Sequence, residues 1–177
     1  GRTGVGTVLG AKKIKGLLFQ GDRVRDRYDE NAVADFSKAI LAESKDNPGV
    51  QAYKSMGTSQ LVKVTNAANA FPTRYWSQGI CDHRDQINAD ALHRRCSVKP
   101  HACLKCFMAC GRMTTLKQGR HAGLTLEGPE YETLASLGSS CEVDELEAII
   151  KAIEELKSMM ATELGAIRKG LERLEKK

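Results

Sequence analysis

Three cysteines, Cys103, Cys106 and Cys110, constrain this 177-residue chain more than any other feature, because thiols at this spacing act together only when the backbone brings them to one point. A tight turn followed by the start of a helix has that effect on residues i, i+3 and i+7. Soft thiolate ligands select zinc or iron–sulfur clusters over hard cations. Zinc sites usually add a second Cys-x-x-Cys or a pair of histidines, and neither occurs here. The spacing therefore favours an iron–sulfur cluster over zinc.

A 4Fe-4S cluster takes four ligands, so a fourth must come from outside this motif. Cys81, Cys96 and Cys141 are candidates, but no spacing singles out one of them, and the ligand can also lie outside the chain. Taken one by one, each of these cysteines is more typical of a buried structural residue. Clustered cysteines without the order of a signal peptide favour metal binding over disulfides and predict a cytoplasmic protein.

The composition is typical of a globular protein, with 41% apolar and 28% charged residues, which argues against wholly disordered and membrane-embedded classes. No apolar run approaches the roughly 18 residues needed to cross a bilayer. The net charge of +5 can attract phosphates, acidic redox partners or nucleic acid, but it is more typical of a mixed-charge surface. Nucleic acid is disfavoured because four Phe, four Tyr and one Trp leave no aromatic-and-basic pattern for base stacking.

Local patterns predict a mainly α-helical fold with short β elements near the N-terminus. Apolar residues recur at helical spacing from Asp29 to Ser44, and this helix should end near the turn Asn47-Pro48-Gly49. Four further segments have weaker patterns. They are a short buried strand at residues 16–21, a helix at 61–70, a helix followed by a loop at 82–99, and a loop or hairpin at 113–128.

A stripe of apolar side chains runs from Val143 to Leu174 and predicts a long amphipathic helix, or two helices that break near Gly165. Such a stripe is typical of an ordinary core or of a coiled-coil seam, and we expect one helical layer to bury it from Leu146 to Leu174. The changes in pattern divide the chain into three expected regions. They are a glycine-rich segment at 1–21, a helical domain with the cysteine and acidic motifs at 22–142, and the amphipathic helix at 143–177.

Two further motifs carry chemistry that depends on their surroundings. The opening Gly4-x-Gly6-x-x-x-Gly10 lacks the dinucleotide-binding spacing, although its backbone amides and basic flanks can still contact phosphate. Residues 127–132 hold three carboxylates and a phenol, which is typical of an acidic helix start. Near a metal centre in a dry pocket, one of these carboxylates can instead carry protons.

In chain order, four segments resemble the aldehyde ferredoxin oxidoreductase family of tungsten enzymes. They are the glycine-rich and basic residues 1–15, Asn69-Ala-Phe-Pro-Thr-Arg74, Ala102-Cys-Leu-Lys-Cys-Phe-Met-Ala-Cys-Gly-Arg112, and the acidic segment 127–141 followed by 144–149. Each segment alone is a weak signal. Four of them in the family's order are a specific one.

The resemblance implies an enzyme that oxidises aldehydes to carboxylic acids and passes electrons through a 4Fe-4S cluster to ferredoxin. It also implies tungsten, or molybdenum, held by two pyranopterins whose phosphates share a magnesium ion. The residue roles carry over by position. The cluster ligands would be Cys103, Cys106 and Cys110. The contacts to the pterin phosphates and magnesium would be Arg2, Thr3 and Gly4. The carboxylate near tungsten that activates water or accepts the proton would be Glu132, or as second choice Glu130.

The sequence departs from the family's pattern in several places. Phe107 stands where the family commonly has proline, and the resemblance stops after about Leu156. The family's N-terminal β domain and C-terminal helical domain have no counterpart in this sequence, and the latter supplies the fourth cysteine, further pterin contacts and a histidine partner for the carboxylate. We therefore expect a fragment covering about the middle domain, which would be inactive without the flanking domains.

Two other functions fit the same residues. A stand-alone iron–sulfur electron-transfer or scaffold module without pterin would use residues 143–177 to form a homo-oligomer. A zinc-stabilised nucleic-acid-binding domain would use the charge of +5 to contact phosphates. Metal content, pterin content and sedimentation mass distinguish the three.

Overall fold

The computed structural model describes residues 5–14, 16, 17, 19, 21–23, 28–104 and 106–175, and leaves the side chains of 170, 171 and 173–175 undescribed. The chain divides into two compact units, one ending at Lys38 and one beginning at Ala39. Helices predominate in the described residues, which confirms the predicted mainly α class. No described helix is both long and apolar enough to span a membrane.

The first unit holds α1, at Val5–Ala11, and the start of α2, at Glu30–Ser44. Asp29 caps α2, since its Oδ1 accepts a hydrogen bond from the amide of Ala32 at 2.9 Å. This confirms the helix predicted from residue 29. No side chain of α2 is buried, although its apolar residues recur at helical spacing.

The buried strand predicted at residues 16–21 is wrong. The described residues of this segment form no strand, and Leu17 and Phe19 are 60% and 86% exposed. A buried strand needs neighbouring strands that pair its backbone groups. The described part of the chain forms its sheet elsewhere, between residues 96 and 127.

The segment Asn47-Pro48-Gly49 follows α2 closely, as predicted, but it also begins a helix, α3, at Pro48–Met56. The Asn47 side chain accepts hydrogen bonds from the amides of Gly49 and Val50. Proline suits the first helical turn because it has no amide to satisfy. α3 ends at Gly57, whose φ is 70°.

A 3-10 turn and three short helices lead from α3 to the sheet. They are Thr58–Gln60, α4 at Leu61–Ala67, α5 at Arg84–Ile87 and α6 at Ala89–Arg95. The position of α4 confirms the helix predicted from residue 61, although α4 ends earlier than expected.

The sheet has three antiparallel strands in the order β1-β2-β3, and it lies in the middle of the chain rather than near the N-terminus. The strands are β1 at Cys96–His101, β2 at Gly111–Leu116 and β3 at Thr125–Glu127. The pairing of β2 with β3 confirms the hairpin predicted at 113–128. β1 replaces the loop predicted at the end of 82–99. The polar residues of β1 and its Pro100 do not form a strand pattern in the sequence, although an edge strand tolerates proline.

After β3 the chain passes through a series of helical turns into α8. They are α7 at Tyr131–Thr133, a π turn at Leu134–Gly138, a 3-10 turn at Ser139–Cys141 and α8 at Leu146–Glu175. α8 is continuous through Gly165, so the amphipathic segment is one helix rather than two. The core of the second unit includes Val62, Phe71, Ile87, Leu92, Leu134, Leu146, Ile149 and Ile150.

Among the described side chains of α8, only those at the start of the stripe are buried. Leu146 and Ile149 lie in the core, whereas Leu156 and Leu164 are 47% and 60% exposed. Burial of the whole stripe in a helical layer was therefore a wrong prediction for the side chains that the structure describes. A helix of 30 residues is about 45 Å long, which exceeds the core that it packs against.

Candidate functional site

The cysteine motif forms the connection between β1 and β2. The amide of Cys106 donates to the carbonyl of Cys103 at 3.0 Å, which makes the predicted tight turn. No helix follows among the residues described there. Instead, Gly111 pairs with His101 and begins β2. Cys103 and Cys106 are exposed, Cys110 is half-buried, and all three thiols are free.

The three cysteines have the donor chemistry of an iron–sulfur site. They supply three soft, free thiols on one connection, and hard cations such as magnesium prefer oxygen ligands instead. Among the described residues, however, no three His, Cys, Asp or Glu side chains form a metal-binding group. The convergence of the three sulfur atoms therefore stays a prediction.

Arg112, in β2, is 1% exposed and lies beside this connection. Its Nη1 donates to the carbonyl oxygens of Ala109 and Gly111, at 3.1 and 2.7 Å. Its Nη2 donates to the carbonyl oxygens of Tyr53 and Lys54, at 2.6 and 3.0 Å. One guanidinium therefore joins the end of the cysteine connection to the last turn of α3.

Gly57 leaves the space that this guanidinium occupies. A Cβ at position 57 would lie 2.7 Å from Nε of Arg112 and 2.9 Å from the carbonyl oxygen of Cys110. The φ of 70° also lies in the left-handed region that favours glycine. Among the described atoms, Nε of Arg112 has no hydrogen-bond partner.

Burial lowers the pKa of Arg112, and the charges of Glu130 and Cys110 act in the opposite direction. A guanidinium stays protonated in such surroundings because its ordinary pKa is so high. A permanent positive charge therefore lies near both the third cysteine and the acidic segment.

Glu130 directly precedes α7 and is half-buried. The Thr58 hydroxyl donates to Oε2 of Glu130, and the amide of Tyr131 donates to the same hydroxyl oxygen at 3.0 Å. The Tyr131 ring packs on the buried ring of Phe71, with centroids 5.7 Å apart. Oε1 of Glu130 is buried and has no hydrogen-bond partner among the described residues. This oxygen is available to a proton or a ligand.

The other two carboxylates of the acidic segment lie on the surface. Glu132 is exposed within α7. Glu127, at the end of β3, is also exposed, and its Oε1 lies 3.8 Å from Nε2 of His101. Burial therefore distinguishes Glu130 from Glu132, although the resemblance makes Glu132 the first choice.

The three remaining cysteines differ in their surroundings. Cys81 and Cys96 lie in the hydrophobic core, where burial raises the pKa of both thiols, as is typical of structural cysteines. Cys141 is exposed, and its Sγ lies 3.9 Å from the Tyr75 hydroxyl beside a surface hollow of about 390 Å³.

Arg112, Gly57 and Thr58 have no sequence pattern around them that predicts a functional role. An arginine two positions after a cysteine gives no sign of burial, and its partners in α3 lie 58 and 59 residues away in sequence. The predicted pterin contacts lie outside the described residues. They are Arg2, Thr3 and Gly4.

Comparison with known proteins assigns the chain to a family. A profile described as "Aldehyde ferredoxin oxidoreductase, domains 2 & 3" matches residues 35–160, which include the cysteine connection, Arg112 and the acidic segment. The chain therefore belongs to the aldehyde ferredoxin oxidoreductase family, as its motifs implied.

Individual relatives match a limited part of their own length. The tungsten-containing aldehyde ferredoxin oxidoreductase of Thermococcus kodakarensis is 30% identical over 156 residues, which are 86% of this chain and 25% of the relative. The protein of the same name from Pyrococcus furiosus is 28% identical over 169 residues, 93% of this chain and 26% of the relative. The aliphatic sulfonate oxidoreductase, WOR-like subunit, of Pyrococcus furiosus is 25% identical over 154 residues, 85% and 24% respectively. The chain thus spans about a quarter of the length of these relatives.

Proposed function

We propose that this chain is part of a tungsten-dependent oxidoreductase that oxidises aldehydes to carboxylic acids and passes the electrons through a 4Fe-4S cluster to ferredoxin. The observation that carries the proposal is the family match over residues 35–160, which takes in the cysteine connection and the acidic segment together. Two of the relatives are named as tungsten-containing aldehyde ferredoxin oxidoreductases, and their similarity extends over 86% and 93% of this chain.

In the proposed reaction, one aldehyde and one water give one carboxylic acid, two protons and two electrons. The cluster would be held by Cys103, Cys106 and Cys110, with a fourth ligand from another part of the enzyme. Tungsten bound by two pyranopterins would supply the two-electron chemistry. The pterin phosphates and their magnesium ion would be contacted by Arg2, Thr3 and Gly4.

Glu130 would accept a proton of the attacking water at its buried Oε1. The Thr58 hydroxyl bonds to Oε2 and so orients the carboxyl group with Oε1 left open. The packing of Tyr131 on Phe71 holds the segment in place. Glu132, which is exposed in α7, is the second candidate for the same role.

Metal analysis tests the cluster. We expect the full chain, purified without oxygen, to contain iron and sulfide and to show brown absorbance, and we expect Cys110→Ser to lower the iron content. Ser97→Ala is the control, since this exposed side chain in β1 lies outside the motif and is no candidate ligand. Zinc in stoichiometric amount without iron would overturn the proposal.

Activity measurements test the acidic residues. In the complete enzyme that contains this chain, Glu130→Gln should lower kcat by about 10² to 10⁴-fold, as the loss of a general base does. Glu132→Gln should lower it far less, because the exposed carboxylate can be replaced by water. A larger loss of kcat in Glu132→Gln than in Glu130→Gln would assign the role of proton acceptor to Glu132.

One observation favours a second candidate, an iron–sulfur electron-transfer or scaffold module without pterin. The apolar stripe of α8 remains exposed at Leu156, Met160 and Leu164, and an uncovered stripe of this kind suits a helix that pairs with a second copy. Pterin analysis separates the two candidates, since the module would bind iron without pterin.

A further inference from the structure

We propose that Arg112 is a positioning residue for the cysteine connection: its guanidinium holds Cys110 against the end of α3 and supplies a permanent positive charge beside the third cysteine. The mechanical part, which is the holding of Cys110 against α3, concerns the chain itself. The electrostatic part rests on the proposed function, because the charge would act on the cluster.

The residues just before β2 have an unusual backbone conformation. Ala109 has a φ of 48°, in the left-handed region that residues with a side chain adopt only when their surroundings impose it. Its carbonyl oxygen accepts a hydrogen bond from Nη1 of Arg112. The guanidinium therefore holds a backbone conformation that an exposed connection would not keep by itself.

The other end of the contact is the last turn of α3. Nη2 of Arg112 donates to the carbonyl oxygens of Tyr53 and Lys54. The Tyr53 oxygen also accepts the amide of Gly57 at 2.8 Å, and both carbonyl groups lie at the negative end of the helix dipole. Arg112 therefore adds a charged donor to acceptors at the helix end and joins that end to the connection through one rigid, planar group.

Gly57 lies close to both Arg112 and the backbone of Cys110. Any larger residue would displace Nε of Arg112 or the carbonyl oxygen of Cys110, as the distances of 2.7 and 2.9 Å from a Cβ require. The backbone of Cys110 is thus confined between Gly57 and Arg112. This confinement fixes the backbone position from which the side chain of Cys110 extends.

The charge of Arg112 also acts on its surroundings. Arg112 is buried, and a charge in surroundings of low dielectric constant acts on its neighbours more strongly than one in water. An iron–sulfur cluster becomes more negative when it takes up an electron, and its potential depends on nearby charge. A positive charge beside Cys110 would therefore favour the reduced cluster and make it a better electron acceptor.

Hydrogen exchange of the full chain without iron tests the mechanical part. Arg112→Lys keeps the charge but loses the planar fork, and Gly57→Ala displaces the guanidinium without altering it. Both should speed amide exchange at residues 106–111 on the order of tenfold, since buried hydrogen bonds are broken. Gly123→Ala is the matched control: it has a left-handed φ of 88° but nothing within 4 Å of the added Cβ. Unchanged exchange in Arg112→Lys and Gly57→Ala would overturn the mechanical part.

Redox titration of the iron-loaded chain tests the electrostatic part. Arg112→Met and Arg112→Lys both lose the fork, but only Arg112→Met loses the charge, so its midpoint potential should be the more negative. Chelators should remove iron about tenfold faster from both variants than from the unsubstituted chain. Equal potentials in Arg112→Met and Arg112→Lys would overturn the electrostatic part.

The two proposals fail in different ways. If the unsubstituted chain binds no iron, the cluster assignment and the electrostatic role both fall, while the exchange experiment alone decides the mechanical role. If the chain binds iron but exchange, iron loss and potential are the same in all Arg112 variants, the cluster stands and the role of Arg112 falls.

Discussion

The Thr58 hydroxyl donates a hydrogen bond to Oε2 of Glu130 across 72 residues of sequence, and it accepts one from the amide of Tyr131 at 3.0 Å. One hydroxyl thus satisfies a carboxylate oxygen and a helix-start amide together. The turn that follows α3 is thereby joined to the acidic segment, just as Arg112 joins α3 itself to the cysteine connection.

Replacing Thr58 with valine tests this contact. Thr58→Val keeps the shape but leaves the half-buried Oε2 of Glu130 without this donor and the amide of Tyr131 without this acceptor. We expect the free energy of unfolding, measured in urea, to fall by about 1–3 kcal/mol. Thr58→Ser retains the hydroxyl and should lose much less. Equal stability of the valine variant and the unsubstituted chain would show that the hydrogen bonds contribute nothing.

Thiol alkylation tests the burial of Cys81 and Cys96. Burial raises the pKa of both thiols, so their thiolate fraction at neutral pH is smaller than that of an ordinary cysteine, and access is restricted as well. At pH 7, iodoacetamide should modify them in the iron-free chain at least about tenfold more slowly than Cys103. The rates at Cys81 and Cys96 should rise only above the ordinary cysteine range near pH 8.5. In denaturant all sites should react alike; fast modification of Cys81 in the folded chain would contradict the structure.

Sedimentation tests whether the exposed stripe of α8 pairs with a second copy. We expect a mass that is a multiple of the monomer, because Met160 and Leu164 are 64% and 60% exposed on one helix. The double variant Met160→Glu and Leu164→Glu should sediment as a monomer. Thr162→Glu adds a charge at an exposed position away from these two residues and should leave the mass unchanged. A monomeric unsubstituted chain would rule out this use of α8.

Two glycines should respond oppositely to alanine. At Gly138 a Cβ would lie 3.0 Å from Cδ1 of Ile149 and 3.3 Å from Cδ1 of Ile87, so Gly138→Ala should cost about 1–3 kcal/mol through overpacking. At Gly165, within α8, a Cβ would meet nothing within 4 Å. Gly165→Ala should therefore stabilise the helix by roughly 0.5–1 kcal/mol. Circular dichroism during denaturation measures both, and a stabilising Gly138→Ala would contradict the packing described.

Features that depend on neighbouring residues could be predicted from sequence. The start of α2 follows from Asp29 and a helical apolar period, and the β2-β3 hairpin follows from its turn residues. Prediction failed where one local sequence pattern is compatible with two different structures. Asn47-Pro48-Gly49 is compatible with a turn and with a helix start. Pro100 argues against a strand in general, but β1 is an edge strand, which tolerates proline.

The candidate site divides in the same way. The order of Cys103, Cys106 and Cys110 ahead of the acidic segment is visible in the sequence. Together with residues 1–15 and 69–74 it carried the family resemblance, because motif spacing is a property of the chain itself.

Tertiary structure alone decided that Arg112 is buried against α3 and that Glu130 rather than Glu132 has a buried oxygen. It also decided that Leu156, Met160 and Leu164 of α8 stay exposed. The physical reason is that burial depends on which distant segments meet, and the partners of Arg112 in α3 are 58 and 59 residues away. Neither the local hydrophobic periodicity nor the composition predicts which distant segments meet.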